Sequence, residues 1–569
     1  MAAHGAQKNM ADERVQLLAS YEVSTASDSS SQASAGSSSD TNTNDNHVAS
    51  PRNYGTIDDA ESAHDPEPAE ERYSRAVIAR VVGALFIGVF TSNLDGSLVL
   101  ATHPVISSEF QDLEDSSWLF ISFWLAGSAT QSLYGKLSDI YGRKSILLSR
   151  IGQSMWQVIL GRVIQGSGSA GMMVLVAIVI TDMAPMREVA SWQSYLNVIA
   201  TVGRSLGGPL GGWLADVVGW RWSFLGQVPV FAAAILLCWA IFRKLKTQPQ
   251  EFSSTTDTRS NLARIDFLGA STLGLGLLTL MVPLQIGGQR VSWSHPSIFA
   301  LLAVGAILLG LFVMAETRWA KEPIFPLRLL RSREAFLGYF ITGCILAAQS
   351  GMVFTVPLYF QVTQRSSSTV VGAHLFPAVA GNAIGGILSG YLIRRTGRYK
   401  LLAIFASLTS AMSYLLMTVR WNGNTNWAES MYIMPGGLGC GIIQSAVFIA
   451  IQASIDPADK AAGISGFFLA TQIGTVLGMA AVSALMIGGL QQTLRARLIA
   501  EGVEQFALDE IFKQAVTSVD YLDKTSKPIA KAIVASYVDG LEYSHAFSFG
   551  CSIMAFCAAL LLRERRLNK

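Results

Sequence analysis

Thirteen stretches of this chain are long and apolar enough to cross a bilayer, and they leave few other folds open to it. A spanning helix needs roughly 20 predominantly apolar residues. Runs of that kind cover 76–101, 117–135, 161–181, 191–214, 223–242, 266–286, 297–315, 335–359, 370–393, 401–419, 430–453, 464–488 and 543–562. Hydrocarbon offers no water to backbone N–H and C=O groups, so such runs are confined to helices. Composition agrees: half of the 569 residues are hydrophobic and only 14% charged, against about 25% in soluble domains. The expectation is an all-α polytopic membrane protein.

Charge sets the topology. Residues 1–72 carry 13 Asp and Glu against 4 Lys and Arg, a net of −9 that leaves +11 on the rest. That excess sits in short loops: Arg72, Arg75 and Arg80; Lys136, Arg143 and Lys144; Arg187; Arg243, Lys244 and Lys246; Arg328, Arg331 and Arg333; Arg394, Arg395, Arg398 and Lys400; Lys460; and Arg563, Arg565 and Arg566. Such loops face the cytoplasm, so the excess reports topology and not nucleic-acid binding. They alternate correctly only if 145–160 also crosses, giving 14 spans with both termini cytoplasmic. Segment 145–160 is a poor span, with Arg150 at its middle and Gly152, Gln153 and Gln157 beside it. A mid-bilayer charge costs roughly 2.5–3.5 kcal/mol.

The first 75 residues contain no apolar core of a signal peptide and are rich in Ser, Asn, Asp, Ala and Thr. They read as a disordered acidic cytoplasmic arm. Within it Glu13, Leu17 and Leu18 fit an acidic dileucine, a form that resembles sorting signals read by coat adaptors and that also arises by chance. Residues 489–542 are hydrophilic, with Phe506, Ile511 and Val516 at roughly helical spacing, and read as a packed amphipathic lid on the outer side.

Polar groups inside the spans mark where function lies, because they are costly there. Asp95 and Arg162 are the two charges to explain. Each has a bland reading beside the functional one, a structural cap for Asp95 and a structural salt bridge for Arg162. Gln349, Tyr359, His374, Asn382 and Gln444 are candidate liners of a substrate cavity, or interhelical hydrogen bonds. The run Gly203-Arg204-Ser205-Leu206-Gly207-Gly208-Pro209-Leu210-Gly211-Gly212 is a smooth, kinked helix against which a neighbour can pack closely. No phosphate-binding loop, metal-ligand cluster or nucleophile elbow is legible in the sequence, so ATP-driven transport, enzymatic chemistry and a cofactor are not expected.

The loop Gly135–Lys144 (GKLSDIYGRK) resembles the segment between spans 2 and 3 of the major facilitator superfamily. The stretch around Asp95, with Leu94, Val99, Ala101 and Pro104, is similar to the first-span motif of fourteen-span drug:proton antiporters, although Ser97 and His103 depart from it. Arg162, Gln165, Gly166 and Gly168 resemble the family's fourth-span R-x-x-Q-G-x-G, and Gly203–Gly212 its antiporter helix. Arg204 and the following Gly219–Phe224 and Gln227–Pro229 are similar to a fungal branch of vacuolar basic amino acid and multidrug resistance transporters. The echo Gly390–Lys400 (GYLIRRTGRYK) fits two related halves.

The resemblance implies a first six-helix half over 76–242, a linker with two extra spans over 243–334, a second half over 335–562 and a short cytoplasmic tail, 563–569. It implies proton coupling through Asp95 and Arg162, and a conformational latch of Gly135, Asp139, Gly142, Arg143 and Lys144 with Asp182. It implies export of small organic molecules (basic amino acids, drugs or toxic metabolites) by a monomeric proton-coupled antiporter of the vacuolar or plasma membrane. The family pattern has a full apolar span and a short outer loop here, and against it about 16 residues are absent between Leu148 and Ile151. The span is then a short tilted helix, or the deduced protein lacks an exon piece. That shortening leaves open a non-transporting nutrient sensor or an inactive isoform.

Overall fold

The computed structural model describes residues 74–109, 119, 122–130, 155–244, 267–286, 291, 294–319, 325, 327–366, 368–456, 459–503, 508, 510–512, 514–515 and 521–565, all within the compact unit Ala69–Lys569. The dileucine (Glu13, Leu17, Leu18), the loop residues Gly135, Asp139, Gly142, Arg143 and Lys144, and the shortened third span lie outside the described residues.

Every long element is a helix. The first half contains α1 (Arg75–Glu109), α2 (122–130), α3 (Met155–Met183), α4 (Met186–Val217), the short α5 (Trp220–Leu225) and α6 (Gln227–Lys244). The inserted pair is α7 (Phe267–Ile286) and α8 (Pro296–Arg318). The second half comprises α9 (Arg328–Arg331), α10 (Arg333–Gln364), α11 (Ser368–His374), α12 (Phe376–Thr396), α13 (Lys400–Arg420), a 3-10 turn (Trp427–Ile433), α14 (Met434–Gln452), α15 (Lys460–Ala500), α16 (Tyr521–Lys524) and α17 (Lys527–Leu561). Among the described residues ten helices are long and apolar enough to cross a membrane. The helix α4 is not one of them, because its glycines, serines and Arg204 dilute its apolar content.

Two expectations about boundaries are corrected. Residues 155–160 do not belong to a separate crossing; they are the first turns of α3. The hydrophilic stretch 489–542 is not one loop, because α15 runs on to Ala500 and α17 already begins at Lys527. The helices outlast the apolar runs because their extensions bury apolar side chains of their own. Leu490, Leu494 and Leu498, at i, i+4 and i+8 on α15, pack with Leu508, Ile511, Ala515, Leu522, Ile533 and Tyr537.

The halves repeat one packing device. Gly203, Gly207 and Gly211 on α4 abut the backbone at Phe90, Leu94 and Leu98 of α1. At the equivalent place in the second half, Gly474 and Gly478 on α15 abut Gly343 and Ala347 of α10. Likewise Gly166 of α3 presses on the Phe123 carbonyl of α2, while Gly437 and Gly441 of α14 press on those of Ala378 and Asn382 in α12. Lipid does not drive apolar helices together, so missing Cβ atoms that let backbones approach supply the contact. The same fifth-on-first and fourth-on-second pattern in both halves is what two related six-helix halves require.

The halves meet through α4 on α12 and α14, and through α3 on α15. From the end bearing Arg75, Arg187, Arg394 and Arg563 the seam begins with Glu188, which pairs with Arg75 at 2.6 Å and with Arg394 at 3.5 Å. It continues as Ser191 Oγ donating to the Gly390 carbonyl (3.1 Å), Ser194 Oγ against Ser445 Oγ (2.7 Å), Asn197 Nδ2 donating to Asn382 Oδ1 (2.8 Å) and Thr201 Oγ1 donating to the same oxygen (3.2 Å). Fourteen residues of α4, Glu188 to Thr201, about 20 Å of helix, are thus zipped to the other half.

Candidate functional site

Asp95 enters its site because α1 carries it twenty residues from Arg75, past the middle of the helix, where neighbours enclose it. Its Oδ2 lies 2.6 Å from Arg162 Nη1, and its Oδ1 accepts a 2.9 Å hydrogen bond from Gln227 Nε2 at the head of α6. Arg162 also donates from Nε to the Leu119 carbonyl (3.0 Å) and from Nη1 to Gln165 Oε1 (2.9 Å), and its guanidinium sits 4.3 Å above the Phe123 ring. Both charged side chains are 1% exposed. Buried charges persist only when paired and hydrogen-bonded, and here every bond serves one carboxylate–guanidinium pair. Nη2 of Arg162 alone has no partner among the described residues. The pair therefore ties α1 and α3 to each other, and Gln227 ties α6 to both.

The structure brings together Asp95 and Arg162 from the sequence-derived set and adds Gln227. Gln227 is legible as part of Gln227-Val228-Pro229, yet only the fold shows that a glutamine opening α6 faces a carboxylate in α1. The turn before it is fixed by Gly219, whose φ of +90° an L side chain resists, and by Trp220, buried among Val99, Ile106 and Leu119. Trp220 Nε1 donates to Glu109 Oε2 (2.5 Å), and Arg221 pairs with Glu109 Oε1 (2.8 Å). These two donors, the indole first, hold the Glu109 carboxyl below its usual range.

On α4 the expected glycines divide. Gly203 and Gly207 make the close contact with α1, together with Gly211; a Cβ at Gly208 would meet nothing within 4 Å, and Pro209 faces outward. The side-chain space at Gly212 lies outside what is described. Arg204 makes no hydrogen bond or ion pair among the described residues and is exposed. Asp182 closes α3 at the cation-rich end, and its expected partner Arg143 is not described.

The five candidate cavity residues do not form one cluster. Asn382 lies on the seam between the halves, and Gln444 is buried on α14. Gln349 is half-buried and accepts a 3.5 Å hydrogen bond from the Tyr414 hydroxyl. Tyr359 and His374 belong instead to an aromatic knot at the opposite end of the second half. Tyr359 bonds Thr425, and His374 stacks 3.6 Å from Phe360 with its Nδ1 2.6 Å from Ser430 Oγ.

The family model of the Major Facilitator Superfamily matches residues 85–479. The chain is 30% identical over 506 residues to the vacuolar membrane amino acid uptake transporter fnx2 of Schizosaccharomyces pombe, covering 87% of this chain and 86% of that protein. It is 29% identical to the multidrug resistance protein fnx1 of the same yeast (86% and 93% covered), and 28% identical to the efflux pump dotC of Dothistroma septosporum (78% of each). Among solved structures it resembles the human organic anion transporter MFSD10 (TM-score 0.53, 15% identity, 84% of this chain and 99% of that one). It also resembles the proton:xylose symporter XylE (TM-score 0.51, 13% identity, 87% and 98%). At these identities the two structures speak for the fold alone.

Proposed function

The chain belongs to the major facilitator superfamily, and from that premise we propose that it is a proton-coupled antiporter that carries small organic molecules out of the cytosol. The observation that carries this reading is the Asp95–Arg162 pair, enclosed within one half and held by Gln227. A carboxylate so enclosed can load and release a proton only if the helices around it shift, which ties proton movement to conformation. The glycine ladder of α4 supports the shift, since it lets α4 slide along α1 without side chains that interlock.

The seam at the cation-rich end is the closed gate in this reading. The positive-inside rule turns that end to the cytosol, so the halves open toward the lumen or exterior. The likeness to fnx2 supports amino acids, among them the basic ones proposed here, and the vacuolar membrane; the likeness to fnx1 and dotC supports drugs or toxic metabolites as the alternative cargo. Protons and the bilayer are its other partners, and no second subunit is invoked.

The test is flux in proteoliposomes. Accumulation of labelled arginine should require an imposed proton gradient and vanish with an ionophore. Gradient-independent flux would refute coupling, and no flux of arginine or of a drug panel would favour the sensor or inactive form. Alternating access adds a second expectation. Cysteines at Ser194 and Ser445, whose hydroxyl oxygens are 2.7 Å apart, should cross-link under mild oxidation, stop flux, and release it on reduction. Undiminished flux in the cross-linked fraction defeats the gate.

A further inference from the structure

We infer that Arg204 is the anion-recognition residue of the transport cleft, and that the molecules this protein binds carry a carboxylate. The inference deepens the transport reading and rests on it only for the location of the cleft.

An arginine in the middle of a helix packed inside a membrane bundle must find water, an anion or a buried partner. Arg204 has no partner among the described residues, so where it points decides its role. On α4 it stands three residues from Thr201 and seven from Asn197, which places it on the face that meets the other half. Val202, Leu206, Leu210 and Trp213, the exposed apolar stripe of α4, lie on the opposite side. Gly203, Gly207 and Gly211, turned toward α1, lie between the two. Arg204 therefore faces inward, one turn beyond the last hydrogen bond of the seam. Gly208, the next residue on that face, borders open space. Arg204 is exposed on this face, with Cys440 of α14 within electrostatic reach across the seam. That combination describes the wall of a cleft and not the outer surface.

The opposing walls offer it no counter-ion. Residues 335–364, 376–396 and 434–452, which form nearly all of α10, α12 and α14, contain neither Asp nor Glu. On α1, Asp95 is already held by Arg162 and Gln227. A permanent cation facing a cleft without a carboxylate is electrostatically unfinished, and the missing charge is one a solute can supply. Guanidinium and carboxylate match as planar, bidentate partners. Neutral donors and acceptors on the same seam (Asn197, Thr201, Asn382) suit the polar remainder of such a solute without opposing its charge.

The test compares probes that differ only in the acid group, on the purified full-length protein in detergent. The pairs are L-arginine with agmatine, and benzoate with benzamide. Wild type should bind the carboxylate member at least about tenfold more tightly, the scale of one charge-assisted contact. Arg204→Gln should bring each pair to near equality, and Arg204→Lys, which keeps the charge but loses the fork, should retain part of the preference. A wild type indifferent to the carboxylate, or a preference unchanged in Arg204→Gln, overturns the inference. If Arg204→Gln does not fold, the wild-type comparison and Arg204→Lys still decide. Binding does not require turnover, so selective binding without flux leaves this inference standing while the transport reading falls.

Discussion

Replacing Asp95 with Asn should abolish proton-driven accumulation and lower stability in the same stroke. The amide keeps the shape of the carboxyl group but gives up the charge opposite Arg162 Nη1, 2.6 Å away and equally buried. Arg162 then keeps only neutral acceptors: the Leu119 carbonyl, Gln165 Oε1 and the oxygen of the new amide. Removing one partner of a buried ion pair costs about 3–5 kcal/mol, which thermal unfolding in detergent should register as a clear loss. The double variant Asp95→Asn, Arg162→Gln separates the two effects. With no charge left to strand, its stability should recover most of the way, while gradient-driven flux stays absent. Accumulation that survives in the double variant would show that protons take another route.

Gly207→Leu should produce the second large loss, this time in assembly of the first half. A Cβ at that position would lie 2.5 Å from the Leu94 carbonyl oxygen, 2.6 Å from Ser97 Cβ and 2.9 Å from the Leu98 nitrogen. Two of the three are backbone atoms, which cannot rotate away, so α4 and α1 must separate. Overpacking typically costs about 1–3 kcal/mol, and a leucine pressed on backbone belongs at or above the top of that range. Gly208→Ala, one residue along, meets open space and should stay within about 0.5 kcal/mol of wild type. Unfolding midpoints of the two variants provide the check. Equal shifts would mean that the ladder does not hold the two helices together.

The contrast between Gly207 and Gly208 measures how far the sequence could be read. The run Gly203–Gly212 marks a helix built for close packing, but a sequence has no phase: it cannot say which glycines touch. The structure selects Gly203, Gly207 and Gly211, because only residues four apart stack along one line of α1. Boundaries misled for a related reason. Hydropathy ends α15 where lipid contact ends, whereas the helix continues to Ala500 because Leu490, Leu494 and Leu498 find protein to pack against.

The candidate site was legible in its charges and not in its wiring. Asp95 and Arg162 stand out because a charge in a span is expensive, wherever its partner lies. Gln227 does not stand out, being an ordinary amide 132 residues from the carboxylate it binds. Nor do Ser194 and Ser445, 251 residues apart, which close the seam between the halves. Tyr359 and His374 look like cavity residues in one dimension and prove to be parts of an aromatic knot.

By itself, then, the sequence determined the class of molecule: apolar runs of bilayer length, cations in alternate loops and a repeated loop motif admit a two-halved bundle of membrane helices. Those are local properties, set by the solvent each segment needs. The tertiary structure decided which polar groups meet, which glycines bear contact, and that Arg204 stands exposed with no ion-pair partner among the described residues. These depend on the rotation of each helix about its axis and on the neighbour it meets, and both are fixed only when the whole bundle packs.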